Sequence, residues 1–402
     1  MSSQAYYLPA LGMVNALGAD VAAIAQRLFA VDAASHSPAA QTQMVQESGW
    51  LPQGLARVGK VQAALPAIEP RMAHWASRTN QLLLAAAQQI DTVVQQVLRN
   101  HGAHRVAVLV GSSNSGVEEA SQAVAQAGVG QVLGAHYHYA QQELGTPALL
   151  LAQHWGLQGP AYSISTACTS SAKVFAAGVR LLDAGLCDAV VLGGADGLAR
   201  MTVSGFSALE STSTDLTNPM SAHRAGINIG EGAALFVLSK QPAAVQLLGV
   251  GESSDAHHIS APHPQGRGAE QAMRAALQQA GLSPEEVDYL NLHGTATPKN
   301  DSMEAQAVAR VFAHGVAASS TKPLTGHLLG AAGATEVGLC WLALQAGRLP
   351  VHVWDGCPDT ELPVLDLVQA GRSFSRQQGR VCMSNSFAFG GNNASVLIGD
   401  AR

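Results

Sequence analysis

The chain has 402 residues with a formal net charge of −6, which is material for two domains or one large duplicated one. Charged residues make up 12% of it, against a usual share of about 25%, so much of the chain is expected to be buried, part of it in an obligate subunit interface. No overall positive field and no local run of Lys and Arg is present, which excludes a general binder of nucleic acid or anionic lipid.

In chain order, Tyr6 to Leu17 reads as a strand with turn residues and Ala19 to Phe29 as an amphipathic helix. From Ala34 to Pro66, Ser, Gln, Gly and Pro dominate and periodicity fails, so a surface excursion is expected. Arg78 to Arg99 carries Leu82, Leu83, Ala86, Ile90, Val93, Val94 and Val97 on one helical face. Arg105 to Val110 is a buried strand of the continuous apolar type. It runs into the glycine-bounded loop 111–116, which opens another helix. That loop lacks the Gly-Lys-Ser/Thr ending of a nucleotide loop, which leaves packing or substrate lining beside phosphate binding. Tyr162 to Ile164 is a short strand, and Ala172 to Ala184 has Val174, Phe175, Val179 and Leu182 at helical spacing, so Cys168 sits at a strand-to-helix elbow. Ala189 to Leu192 is a second apolar strand ending in a glycine turn. A Gly, Ser and Thr stretch then leads to the strand Ala233 to Ser239.

The remainder repeats the alternation: strand Val245 to Gly251, helix Ala269 to Ala280, strand Val287 to Leu292, helices Ser302 to Phe312 and His327 to Leu344, and strands Val381 to Ser384 and Ala394 to Ile398. Short apolar strands alternating with helices imply a layered α/β fold. Each half has a buried strand ending in a glycine turn and later a small-residue turn opening a helix. An internal duplication is therefore expected, with halves at 1–240 and 241–402. The cysteines Cys168, Cys187, Cys340, Cys357 and Cys382 show no CxxC spacing, the N-terminus begins a strand-like run rather than a leader, and Thr335 and Glu336 interrupt the most apolar helix. These features read as a cytoplasmic protein with no membrane span.

Several groups could do chemistry. A thiol at a helix N-terminus faces unpaired N–H groups and the positive end of the dipole, which favour the thiolate, although a free cysteine also serves as a small buried hydrophobe. His293 ends an apolar strand, where sites in α/β proteins collect. His327 is expected at the start of an apolar helix, with Lys322 before it and Glu336 after it to orient it and set its protonation. Each histidine alone could equally be structural. The stretch 255–264 is dense in histidine without a recognisable ligand spacing, so no metal is assigned and a proline-stiffened loop is expected. The glycine-rich turn at 385–393 would let backbone N–H groups approach a substrate oxygen, with Phe389 as wall or gate.

Four motifs, Thr166-Ala167-Cys168-Thr169-Ser170-Ser171, His293-Gly294-Thr295-Ala296-Thr297-Pro298, Lys322-Pro323-Leu324-Thr325-Gly326-His327 and Asn385-Ser386-Phe387-Ala388-Phe389-Gly390-Gly391, occur in an order in which the chain resembles a β-ketoacyl-[acyl carrier protein] synthase of the thiolase-fold condensing enzymes, nearly end to end. The resemblance implies a thiolase-like five-layered αβαβα fold of two duplicated halves, the first carrying the nucleophile and the second the histidine pair, and a dimer. It implies that Cys168 takes an acyl group from acyl carrier protein and that His293 and His327 stabilise the enolate formed as a malonyl thioester loses carbon dioxide. The oxyanion hole would be the amides of Cys168 and Phe389. Lys322, with Glu336 and Glu304, would fix the ionisation of the histidines, and Thr295 and Thr297 would bind the phosphopantetheine arm; no cofactor is implied.

The chain departs from the family pattern at Ala388 and Asn392, where glycine and threonine are usual, and at Asn114, where elongating relatives often carry an apolar residue facing the acyl pocket. A polar side chain beside a saturated chain is costly, which suggests a short, unsaturated or otherwise atypical acyl chain, as in the ketosynthases of bacterial aryl polyene pathways, which the sequence also resembles. A silent chain-length-factor-like partner, which would lack the nucleophile, and a cysteine hydrolase, which needs one histidine, are the alternatives. Homodimer and heterodimer both remain open.

Overall fold

Most strands of the large sheet are buried on both faces, and their two faces belong to different cores. In the computed structural model, which describes residues 4–30, 42–51, 54–128, 130–134 and 137–401, the first half contains β1 (Tyr6–Val14), α1 (Val21–Ala30), β2 (Val45–Ser48), β3 (Leu55–Gly59), α2 (Arg78–His101), β4 (Val106–Gly111), α3 (Val117–Ala127), α4 (Thr146–Trp155), β5 (Ala161–Ile164), α5 (Ser170–Asp183), β6 (Ala189–Asp196), α6 (Arg200–Ala208), β7 (Ile229–Gly230) and β8 (Gly232–Ser239). The second contains β9 (Val245–Ser254), α7 (Arg267–Ala280), β10 (Tyr289–Asn291), α8 (Pro298–Val311), β11 (Ala317–Ser319), α9 (Lys322–Thr325), α10 (Ala332–Ala346), β12 (Asp366–Leu367), β13 (Val381–Phe387) and β14 (Asn392–Asp400).

The duplication expected from the sequence is explicit in the pairing. In the first half the spatial order is β1-β8-β6-β4-β5, and in the second it is β9-β14-β13-β10-β11. Numbering these five strands in each half, both orders read first, fifth, fourth, second, third, with β12 added beyond β11 in the second half. The sense of pairing also repeats, since β4 and β10 are parallel to both neighbours while β8 and β14 are antiparallel to theirs. The halves join where β1 pairs with β9, Tyr6 opposite Leu247.

Side-chain alternation separates the layers. Val106, Val108 and Val110 of β4 pack under α2 and α4 with Leu82, Ile90 and Leu151, whereas Ala107 and Leu109 face a central core that holds Phe175 of α5 and Val337 and Leu339 of α10. In the second half Leu290, Val381, Met383 and Leu397 face α7 and α8, while Tyr289, Cys382, Val396 and Ile398 face the same central core. Helices, sheet, central helices, sheet and helices are the five layers of the thiolase-like α/β fold.

Three expectations need correction. The stretch 34–66 is not only a surface excursion: β2 and β3 form a hairpin, and β3 pairs in parallel with β7, Val58 opposite Ile229. Residues 34–41, 52 and 53 of that stretch lie outside the described residues. The pattern misled because these strands are short and because Gly59 is there for close approach: a Cβ on it would lie 2.0 Å from the Thr325 carbonyl oxygen. The Gly, Ser and Thr stretch after β6 contains a helix, α6, whose mixed composition hides its period. His327 does not open the long apolar helix, which starts at Ala332 after a short 3-10 turn at Leu329–Ala331. No described helix is long and apolar enough to cross a membrane.

Candidate active site

Cys168 sits just past β5, two residues before α5. Ala167 is held at φ 52°, a left-handed conformation costly for alanine. Hydroxyls hold that turn: Ser170 Oγ donates to the Ala167 carbonyl at 2.6 Å and accepts from the Thr166 amide at 2.9 Å, and Thr169 Oγ1 donates to the Thr166 carbonyl at 2.8 Å. The sharp elbow aims the Cys168 thiol into a cavity of about 340 Å3.

The second half supplies the partners from its own strand ends. His293 follows β10. Its amide and that of Gly294 donate to the two oxygens of buried Glu304 on α8, at 2.8 and 2.7 Å. Gly294 is required there, because a Cβ would meet Ser320 Cβ at 2.5 Å. His327 follows α9, and its backbone is pinned like a strand residue: its N–H donates to the Asn228 carbonyl at 2.7 Å and its carbonyl accepts from Gly230 at 2.9 Å. The result is that His327 Nε2 lies 3.0 Å from Cys168 Sγ. The two imidazoles stand edge to face, centroids 5.3 Å apart at 84°.

Lys322, almost wholly buried, forms an ion pair with Glu336 of α10 and stands 3.5 Å from His293 Nδ1. An ammonium can only donate, so a neutral His293 keeps its own proton on Nε2. Burial, then the nearby ammonium, holds both histidines well below the usual imidazole range, so both are neutral at pH 7. Burial pushes the Cys168 thiol up to about 12, against the opposing pull of Lys322. Burial thus opposes the pull toward the thiolate that a helix N-terminus exerts, and His327 stands beside the sulfur as a base. Glu336 and Glu304 are both raised to about 7, mainly by burial.

Thr295 and Thr297 line the cavity with hydroxyls 3.0 Å apart, and Phe389 lines it from the turn after β13. Glu304, Lys322 and Glu336 stand behind the wall rather than in it. Asn114 does not line this cavity: its side chain donates to the Gly197 carbonyl at 3.3 Å and accepts from Thr202 Oγ1 at 3.1 Å. The loop that could have cradled phosphate is also committed, since buried Asp196 accepts from the Ser112 hydroxyl, the Ser113 hydroxyl and amide and the Asn114 amide. Asp196 also accepts from the Gly330 amide at 2.7 Å, tying the loop after β4 to the one after His327. Sequence reasoning missed Asp196, whose only signal was a carboxylate at a strand end. It also missed Phe206 and Leu209, cavity residues in and just after α6, with Phe206 5.5 Å from the Phe389 ring.

Donor atoms of Cys168, His293 and His327 all lie within 4.8 Å of one another. A dication there would sit beside the Lys322 ammonium, so the electrostatics favour anion chemistry over a metal.

Comparison with known proteins agrees with this geometry. Residues 16–244 match the beta-ketoacyl synthase N-terminal domain and residues 244–353 the beta-ketoacyl synthase C-terminal domain. The 3-oxoacyl-[acyl-carrier-protein] synthase 2 of Staphylococcus aureus is 30% identical over 82% of this chain and 86% of its own. The mitochondrial 3-oxoacyl-[acyl-carrier-protein] synthase of Arabidopsis thaliana is 38% identical, over 62% of this chain and only 58% of its own length. A chain of the complex between a ketosynthase (ApeO) and its chain length factor (ApeC) from Xenorhabdus doucetiae superposes with a TM-score of 0.92 at 45% identity, covering 99% of this chain and 98% of that one. With the two domain matches end to end and a thiol and two imidazoles meeting at the seam of the duplicated halves, the chain belongs to the beta-ketoacyl synthase family of condensing acyltransferases.

Proposed function

We propose that the chain is an elongating synthase, joining a malonyl thioester to an acyl group held on Cys168, both delivered by acyl carrier protein. The observation that carries this reading is the 3.0 Å contact between Cys168 Sγ and His327 Nε2, with a second imidazole edge-on to the first and loaded by Lys322. In acyl capture, Cys168 Sγ attacks the carrier thioester carbonyl and its proton passes to His327 Nε2. The amides of Cys168 and Phe389 receive the oxyanion, the carbon–sulfur bond to pantetheine breaks, and the departing thiolate takes the proton from His327.

A malonyl thioester then places its carbonyl oxygen against the protonated Nε2 of His293 and the Nε2 of His327, to which the ring proton moves from Nδ1 so that it too donates. The bond to its carboxylate breaks, carbon dioxide leaves, and the electron pair forms an enolate held by those donors. The enolate carbon attacks the acyl-Cys168 carbonyl. Collapse expels the Cys168 thiolate, which takes up a proton. The electron pair for the new bond comes from the bond that broke, so the cycle calls on no cofactor. Thr295 and Thr297 would hold the pantetheine amides.

A hydrolase would have no use for His293 and its lysine, and a silent partner none for a thiol beside a base. The likeness to a chain of the ApeO–ApeC complex supports an aryl polyene type of acyl cargo and pairing with a chain-length-factor-like subunit. The free edge of the sheet at β5 offers a place for such a partner. Asn114 adds nothing to the cargo assignment, since its hydrogen bonds are met away from the cavity. The test is intact-mass analysis after exposure to a panel of acylated carriers, with carbon dioxide release measured from malonyl carrier. Cys168→Ala should lose acyl capture but still release carbon dioxide, whereas His293→Ala and His327→Ala should lose release by about 10²-fold or more. Simple hydrolysis of the acyl group, or a long saturated preference, would overturn the reaction or the cargo respectively.

A further inference from the structure

The turn that carries Phe389 is fixed at its base in two ways. The Asn392 carbonyl accepts from the Ala388 amide at 2.8 Å, closing the turn, and Gly390 and Gly391 adopt φ 83° and 76° to complete it. The Asn392 side chain reaches away from the turn, where its Oδ1 accepts from Lys173 Nζ at 2.9 Å. Lys173 is on α5, five residues after Cys168 on the same rigid segment. Its side chain is only 17% exposed, and its other charged neighbour is Glu252 of β9 at 3.9 Å, a carboxylate already paired with Arg180. Holding a lysine largely out of water for one neutral acceptor and one distant, shared carboxylate is costly unless the position matters. The flanking amides of the turn are engaged too, Ala388 with Asn392 and Gly390 with the Ile259 carbonyl at 2.7 Å. The Phe389 amide lies between them.

We propose that Lys173 and Asn392 form a latch that sets the distance between the nucleophile elbow and the Phe389 turn, and so makes Lys173 a positioning residue for acyl transfer to and from Cys168. One end of the latch is the helix that begins at the nucleophile and the other is the base of the turn that bears the second oxyanion donor. A loose turn would misplace one of two amides aimed at the tetrahedral oxyanion. It would leave the histidine pair untouched, because His293 and His327 are held by Glu304, Lys322 and the backbone of Asn228 and Gly230. The inference rests on the oxyanion assignment above, and it predicts a split between the two half-reactions. Acyl capture depends on the amide pair, and carbon dioxide release from malonyl carrier depends on the imidazoles.

The experiment measures both rates for the full-length chain and for Lys173→Met, Asn392→Ala, the double variant, Lys173→Arg and Asn392→Asp. Acyl capture is read by intact mass in single turnover and decarboxylation by carbon dioxide release. Lys173→Met and Asn392→Ala should each slow acyl capture about tenfold or more, with decarboxylation changed less than about twofold. The double variant should be no slower than the worse single, and Lys173→Arg and Asn392→Asp, which keep a donor and an acceptor, should recover most of the rate. Acyl capture at the unsubstituted rate in Lys173→Met, losses that multiply in the double variant, or equal falls in both half-reactions would each overturn the latch. If Lys173→Met does not fold, the Asn392 pair of variants decides alone. Failure of the unsubstituted chain to capture any acyl group would instead refute the condensing reaction itself.

Discussion

Replacing Lys322 with methionine removes an ammonium that faces both Glu336 and His293, and the cost to decarboxylation can be worked from the structure. Lys322 Nζ is 3.5 Å from His293 Nδ1; an imidazole about 2.2 Å across and a hydrogen bond of about 2.9 Å put an enolate oxygen on Nε2 at about 8–9 Å from the charge. At an effective dielectric of about 20, unit charges at that separation attract by about 2 kcal/mol, or roughly 25-fold in rate. The same substitution orphans Glu336, whose carboxyl burial already raises to about 7, so a second variant separates charge at the site from loss of the ion pair. Lys322→Met/Glu336→Gln should melt at a higher temperature than Lys322→Met and yet release carbon dioxide at the same slow rate. The assay is carbon dioxide release from malonyl carrier at saturating substrate. Release within about twofold of the unsubstituted chain, by either variant, would refute the claim that Lys322 acts on the enolate through His293.

Glu304 gives a pH prediction. Its folded value of about 7 lies above the ordinary 4.5, so the folded chain holds a proton that the unfolded chain releases between those values. Its contribution to stability is therefore full at low pH, declines as pH rises through 4.5 to 7 by roughly 3 kcal/mol, and is flat beyond. Glu304→Gln should flatten that decline in urea midpoints taken across the window; an unchanged slope would contradict the assignment. Gly326→Ala is strained at φ 75°, and its Cβ would lie 2.8 Å from Gly230 Cα. It should draw His327 from Cys168 and slow both half-reactions about 10²-fold at a stability cost of about 1–3 kcal/mol, which rate and melting measurements test together. Asp196→Asn turns one acceptor into a donor facing either the Ser113 and Asn114 amides or the Ser113 and Gly330 amides and should cost about 2–3 kcal/mol; an unshifted urea midpoint would count against a structural clamp.

Much of this was legible in the chain. Continuous apolar runs such as Val106–Val110 gave doubly buried strands, because both faces of each sheet are covered. The motifs around Cys168, His293 and Phe389 follow strands and the one holding His327 follows the short helix α9, and those four residues do line one cavity. The strand order of the duplication was not legible, because pairing among distant strands leaves no local mark. The β3–β7 contact was hidden for the same reason: Gly59 and Gly230 are small to let the Thr325 carbonyl approach, and a glycine in a loop-like stretch signals nothing by itself. The depth of the Cys168 sulfur was not legible in the sequence, because burial, which opposes the thiolate, depends on how distant segments pack over it. The hydrogen bonds of Asn114 were not legible because its partners, Gly197 and Thr202, are far along the chain.

The repeat in strand order bears on how the site is assembled. β5 and β11 are counterparts, so the elbow bearing the sulfur and the loop bearing His327 occupy equivalent stations in the two copies. One copy kept the attacking atom and the other kept the proton carrier. Neither copy by itself holds the thiol beside its base, so acyl capture as proposed needs the two halves closed against each other around α5 and α10.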